Sequence, residues 1–100
     1  MGTRLQLHNE LLALAPEAYF QPPESVRMRY PCFRYAFSGV DVKHADNIGY
    51  MQRDKYHVVY ISKSPAMDKV HEILNRFPYC RLDRPYTADN LYHYSFELYY

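Results

Sequence analysis

The chain has 100 residues, with 12 Lys and Arg against 11 Asp and Glu and a formal net charge of +1. This length makes residues 1–100 one small domain, whose folding buries only about two-thirds of the unfolded surface, so the core is thin. The near-neutral balance argues against binding driven by phosphate neutralisation, and like charges never run beyond two residues, which excludes a polybasic membrane patch.

The 17% aromatic content belongs to a folded chain rather than a disordered one. No segment approaches the roughly 18 apolar residues of a membrane-crossing helix. The opening "MGTRLQLHNELLALAP" reads as an amphipathic helix rather than a signal peptide, because His8, Asn9 and Glu10 break its apolar run. A cytosolic protein is expected. Cys32 and Cys80 are the only cysteines. With no secretory signal they read as reduced, buried, small apolar residues rather than a disulfide, and with no CxxC or regular His spacing they do not read as a metal pair.

Thr3 and Gln6 have the spacing of a capping box, and Leu5, Leu7, Leu11, Leu12 and Leu14 give a broad apolar stripe on a helix that Pro16 stops. Residues 16–31 hold Pro16, Pro22, Pro23 and Pro31 and are expected to be extended, with room for a short strand at "SVRMRY". "CFRYAFS" alternates, with Phe33, Tyr35 and Phe37 on one face and Cys32, Arg34 and Ala36 on the other, and Gly39 marks its end. Residues 39–53 follow as a long connection, uncommon in a compact domain unless it has a job or hides short strands. "KYHVVYIS" is apolar on both faces except for His57 and is expected in the middle of a sheet.

Ser64 and Pro65 predict a helix start, and Met67, Val70, Ile73, Leu74 and Phe77 continue it until Pro78. "YCRLDRPY" predicts a strand with Cys80 and Leu82 on one side. "TADN" supplies turn formers, and 91–100 returns beside that strand as a hairpin. The triplet Ala-Asp-Asn occurs at 45–47 and 88–90, which reflects turn chemistry rather than a duplicated unit. The expected fold is α+β: a mixed, mainly antiparallel four-stranded sheet with two helices on one face, in the order α-β-β-α-β-β.

The candidates for catalysis or metal binding are His44 with Asp46, His57, and His93 with Asp89. The first pair suits a polar loop, and the other histidines fall among strand aromatics, where a hydrogen-bonded structural histidine is the commoner outcome. No Gly-rich loop, HExxH or nucleophile elbow is present, so no catalytic residue, cofactor or metal is assigned. Tyr and Phe on adjacent strands, near Arg34, Arg81 and Arg84, suit single-stranded nucleic-acid stacking, but the charge and the strand sequences do not match that class. Tyr and Arg in mixture on one sheet face also suit a subunit interface, and this requires nothing further. Strand 91–100 carries Tyr or Phe at 92, 94, 96, 99 and 100. Tyr92, Tyr94, Phe96, Leu98 and Tyr100 are expected against the helices, and His93, Glu97 and Tyr99 against a neighbouring subunit.

The stretches "RYPCFRYAFSGVDVKHADNIGYMQRDKYHVVYI" and "FPYCRLDRPYTADNLYHYSFELYY" resemble small neck and tail-completion proteins of tailed bacteriophages and prophages, and within that group the tail terminators. The resemblance covers residues 29–100, with the first helix matched only by position. It implies a sheet flanked by helices on one side and no catalytic residue or cofactor. It further implies a homo-hexameric ring that caps the tail tube at its head-proximal end, stops elongation and docks to the head–tail connector. The implied partners are other copies of the chain, the tube protein and the connector or stopper, with DNA passing through the lumen without specific binding and no membrane. The implied location is the virion, with assembly in the host cytoplasm. Arg34, Tyr35, His93, Glu97 and Tyr99 are the expected subunit-interface residues, and Lys43, His44, Asp46, Asn47, Tyr50 and Arg53 the expected contact loop for tube or connector. The alternatives are a head-completion or stopper ring, more often barrel-like, and a single-stranded nucleic-acid-binding module.

Overall fold

The structure is a computed structural model that describes residues 3–22, 27, 29–45 and 49–100, with side chains except at 41–45 and 49–53. Its elements are α1 (Arg4–Leu14), β1 (Glu17–Phe20), β2 (Cys32–Ala45), β3 (Gly49–Ser62), α2 (Met67–Arg76), β4 (Cys80–Ala88) and β5 (Leu91–Tyr99). The five strands form one mixed sheet in the order β1-β2-β3-β5-β4.

The expected α+β class holds, but the sheet has five strands rather than four and the element order is α-β-β-β-α-β-β. The additional strand is β1, which lies parallel to β2 with Glu17 opposite Cys32 and Phe20 opposite Tyr35. Four residues between Pro16 and Pro22 are too short to show alternation. The parallel pairing needs a crossover of about a dozen residues, which 21–31 supply. Within "SVRMRY", residues 25, 26 and 28 lie outside the described residues, and Arg27, Arg29 and Tyr30 are not in a strand.

Thr3 caps α1 as its spacing predicts: its hydroxyl accepts the Gln6 N–H at 3.2 Å and the Gln6 side chain accepts the Thr3 N–H at 2.8 Å. At the other end Lys69 Nζ donates to the Leu14 carbonyl at 2.9 Å, bringing to that pole of the helix a cation that its own last turn lacks. Ser64 does not cap α2. The helix starts at Met67 with Ala66 as its cap residue, and the Ala66 N–H donates to the Tyr94 hydroxyl at 3.1 Å, so a distant tyrosine supplies the acceptor.

Both helices lie on one face of the sheet. Leu7, Leu11 and Leu14 of α1 and Val70 and Ile73 of α2, with Phe77 just beyond it, share a core with Phe33, Tyr35, Tyr56, Val58, Tyr60, Tyr94, Phe96 and Leu98. The expected inner face of 91–100 is therefore present, with Tyr92 and Tyr100 packed at its margins. Met67, expected on the apolar stripe of α2, instead faces outward with 70% exposure. "KYHVVYIS" lies centrally, between β2 and β5.

Gly39 does not end its strand. It follows a bulge at Ser38, whose hydroxyl donates to the Lys55 carbonyl at 3.2 Å, and β2 continues to Ala45. The glycine takes φ +154°, and a Cβ there would meet no neighbouring atom, so the restriction on this position lies in the backbone alone. Most of the expected connection 39–53 is thus a hairpin of paired strands. Beyond Lys55, where β5 stops pairing with β3, six further β2–β3 pairs run from Val40–Asp54 to Ala45–Gly49. They form a two-stranded arm about 20 Å long.

A second bulge, at Asp83 in β4, shifts alternation by one. Arg84 thereby comes opposite Ser95 and Tyr86 opposite His93, on the same face as Arg81 and Glu97. Alternation continued from Cys80 and Leu82 would have put Arg84 and Tyr86 on the helix side.

Candidate assembly surfaces

The sheet face opposite the helices divides in two. Nearest β1, Cys32, Val59 and Ile61 are buried beneath Tyr19, Tyr30 and Leu91, and the Arg29 N–H donates to the Tyr19 hydroxyl at 3.1 Å. Tyr19, Tyr30 and Leu91 thus cover that half. The other half, across β3, β5 and β4, has no element over it among the described residues.

Charge organises the open half. Glu97, at the centre, accepts from Arg81 Nη2 at 2.6 Å and Nε at 2.9 Å, and lies 3.7 Å from Lys55 Nζ. The Arg81 hydrogen bonds hold the Glu97 carboxyl below its ordinary range, and Glu97 raises Arg81 in return. Arg81, Glu97 and Lys55 together tie three strands, but being solvent-screened they add little stability. His57 Nε2 lies 3.3 Å from Ser95 Oγ. Farther along, the Tyr86 and His93 rings stack with centroids 4.7 Å apart, and the Arg84 guanidinium lies 5.5 Å from the Tyr86 ring.

The expected interface residues divide accordingly. His93 and Glu97 lie in this patch, half-buried, and Tyr99, also half-buried, donates its N–H to the Tyr79 carbonyl at 2.9 Å. Arg34 is exposed in β2 opposite Val59. Tyr35 is a correction: it is 1% exposed, inside the core beneath α1, with His8 Nδ1 2.6 Å from its hydroxyl and Arg4 Nη1 at 3.5 Å. Alternation had put it on the face of Phe33, and that is the face the helices cover.

Of the expected contact loop, Lys43 and His44 belong to the β2 side of the arm and Tyr50 and Arg53 to the β3 side, while Asp46 and Asn47 lie outside the described residues. The arm therefore brings four of those positions onto one projection. Among the described residues no group of three or more His, Cys, Asp and Glu is arranged to hold a metal, and no helix is long and apolar enough to cross a membrane.

The edge formed by β4 is blunted. It carries Arg81, Asp83 and Arg84, a bulge, and Pro85, which has no N–H to offer, and these are the features that keep a strand edge from recruiting another strand.

Alternation put Tyr100 against the helices, and the structure adds the partners it gathers there, which local sequence patterning does not signal. Its N–H donates to the Asp54 carbonyl at the root of the arm at 2.9 Å, and its hydroxyl donates to Glu10 of α1. Glu10 also lies 3.6 Å from Arg76 of α2, and the Phe77 ring stands edge-on to Tyr100 at 6.2 Å. Both helices and the arm root are joined through this one residue. No protein-family model matches the chain, and neither does any curated protein or solved structure.

Proposed function

We propose that this chain is a structural, non-enzymatic virion protein: a tail terminator that forms a homo-hexameric ring, caps the tail tube at its head-proximal end, stops elongation and docks to the head–tail connector. The observation that carries the reading is the arm. The radius of gyration is 14.5 Å, against about 13 Å for a compact domain of this length. The accessible surface is 6800 Å², against about 6,000 Å² for a monomer of 12.0 kDa. The excess of roughly 800 Å² equals one partner's share of a standard protein interface. A two-stranded ribbon standing free in water is marginal at best, and a neighbouring copy that covers it removes that cost.

A head-to-tail contact, arm of one copy on the body of the next, is heterologous, and such contacts close into rings when the rotation permits. Ring closure then matches the symmetry of the tube and blocks further addition. The open, helix-backed sheet favours this over a barrel-like stopper ring. The alternative of a single-stranded nucleic-acid module draws on Tyr86, His93 and Arg84, but those groups already stack on one another, which counts against a free platform for bases.

Light scattering at several concentrations, with and without purified tail tubes, tests the proposal. A discrete hexamer, or a monomer that becomes hexameric on tubes, is the expected result. A monomer indifferent to tubes overturns it.

A further inference from the structure

The open half of the sheet holds positive charge in surplus. Arg81, Arg84 and Lys55, with Arg34 at its border, stand against Glu97 and, at the bulge, Asp83. Glu97 engages Arg81 and Lys55, whereas Arg34 and Arg84 are exposed and meet no carboxylate among the described residues. Arg81 is not used up either, since Glu97 takes its Nε and Nη2 and leaves Nη1 to donate elsewhere. Register puts Arg81 opposite Glu97 and Arg84 opposite Ser95, two residues apart on β5, so the two arginines stand in successive rows about 7 Å apart.

The opposite surplus lies on α2. Asp68 and Glu72 are both exposed and one helical turn apart, which makes them neighbours with about 6 Å between them. Lys69 reaches Glu72 at 3.1 Å but also donates to the Leu14 carbonyl, and Asp68 meets no cation among the described residues. Of the elements with described side chains outside the open face, α2 alone sets two exposed carboxylates side by side.

We propose that α2 of one copy docks on the open half of the next copy's sheet, with Asp68 and Glu72 against Arg81 and Arg84. Sign and spacing match, and Glu97 in the middle of the patch repels a nucleic-acid strand as an alternative occupant. The two surfaces lie on opposite faces of one sheet, so a single partner cannot meet both. The contact is therefore heterologous and repeats from copy to copy until it closes. It rests on the ring proposed above and shares the copy-to-copy interface with the arm, so it does not hold the ring alone.

Charge reversal in the full chain tests this, with assembly followed by light scattering at about 0.1 M salt, alone and on tail tubes. Arg84→Glu, and separately Asp68→Arg with Glu72→Arg, are expected to raise the concentration of half-assembly at least about tenfold. All three changes together should restore it to within about threefold of the unaltered chain. The milder Arg84→Gln and Asp68→Asn, at exposed positions outside the core, should each weaken assembly about threefold with the thermal transition unchanged. A hexamer indifferent to these changes, or weakened by both reversals and not restored by their combination, overturns this contact and leaves the ring standing. An unaltered chain that stays monomeric with and without tubes overturns the ring itself, and this contact with it.

Discussion

Tyr100 joins both helices and the arm root through its backbone, its ring and its hydroxyl. Burial first, and then the hydrogen bond to Glu10, push its hydroxyl pKa up to about 12 from an ordinary 10.0. An unfolded chain gives up that proton first, so the linked stabilisation is complete below about pH 10 and is lost as the pH rises towards 12. Tyr100→Phe is expected to cost about 1 kcal/mol at neutral pH by urea unfolding and to flatten the alkaline fall in stability. An unchanged alkaline profile would show that Tyr100 does not contribute to it. The thiols behave similarly. Burial, with the Glu17 charge adding to it, lifts Cys32 to about 11, and burial alone lifts Cys80 to about 11. Both are free cysteines. At pH 8 the folded protein is expected to react with a thiol reagent roughly a hundredfold more slowly than the unfolded chain, as a stopped-flow absorbance trace would show.

Among the elements, the β4–β5 hairpin was the most legible in sequence. Its two-residue turn, Asp89 at φ +53° and Asn90 at φ +62°, is left-handed at both positions, and Asp and Asn tolerate that conformation. Asn90→Gly is expected to be neutral or stabilising by a few tenths of a kcal/mol. Asn90→Val is expected to cost about 1–2 kcal/mol, because a β-branched residue resists the left-handed region. Chemical denaturation of the two variants side by side checks this. The α1 cap was equally legible, because Thr3 and Gln6 satisfy each other within one turn. The start of α2 was not. Tyr94, far along the chain, supplies the acceptor that Ser64 was expected to provide.

Over the whole molecule, the arm decides the shape. Asp41 pairs with Arg53, so replacing residues 42–52 with Asn-Gly retains register and closes the hairpin early with a favoured turn. The variant is expected to stay folded, since the core described is built from the two helices and from strand residues outside 42–52, and as a monomer its radius of gyration should lie near about 13 Å by small-angle scattering, below the 14.5 Å of a single full-length copy. Self-association through the arm should be lost with it. A shortened chain that assembles as the full chain does would show that ring contacts lie elsewhere, with the open patch around Glu97 and His93 the next surface to test.

Local sequence determined what local physics governs: the leucine helix with its cap, the central apolar strand, the turn at Asp89-Asn90, and the inward face Tyr92-Tyr94-Phe96-Leu98. Each is a matter of periodicity or of a side chain satisfying a nearby backbone group. Tertiary structure decided the rest. A four-residue strand exists only because β2 offers it a parallel partner, and the bulges at Ser38 and Asp83 change which side chains share a face. Tyr35 is core rather than surface because two helices cover its side of the sheet. Bulges and parallel pairings depend on the partner strand, and hydrophobic alternation within one segment carries no record of that partner.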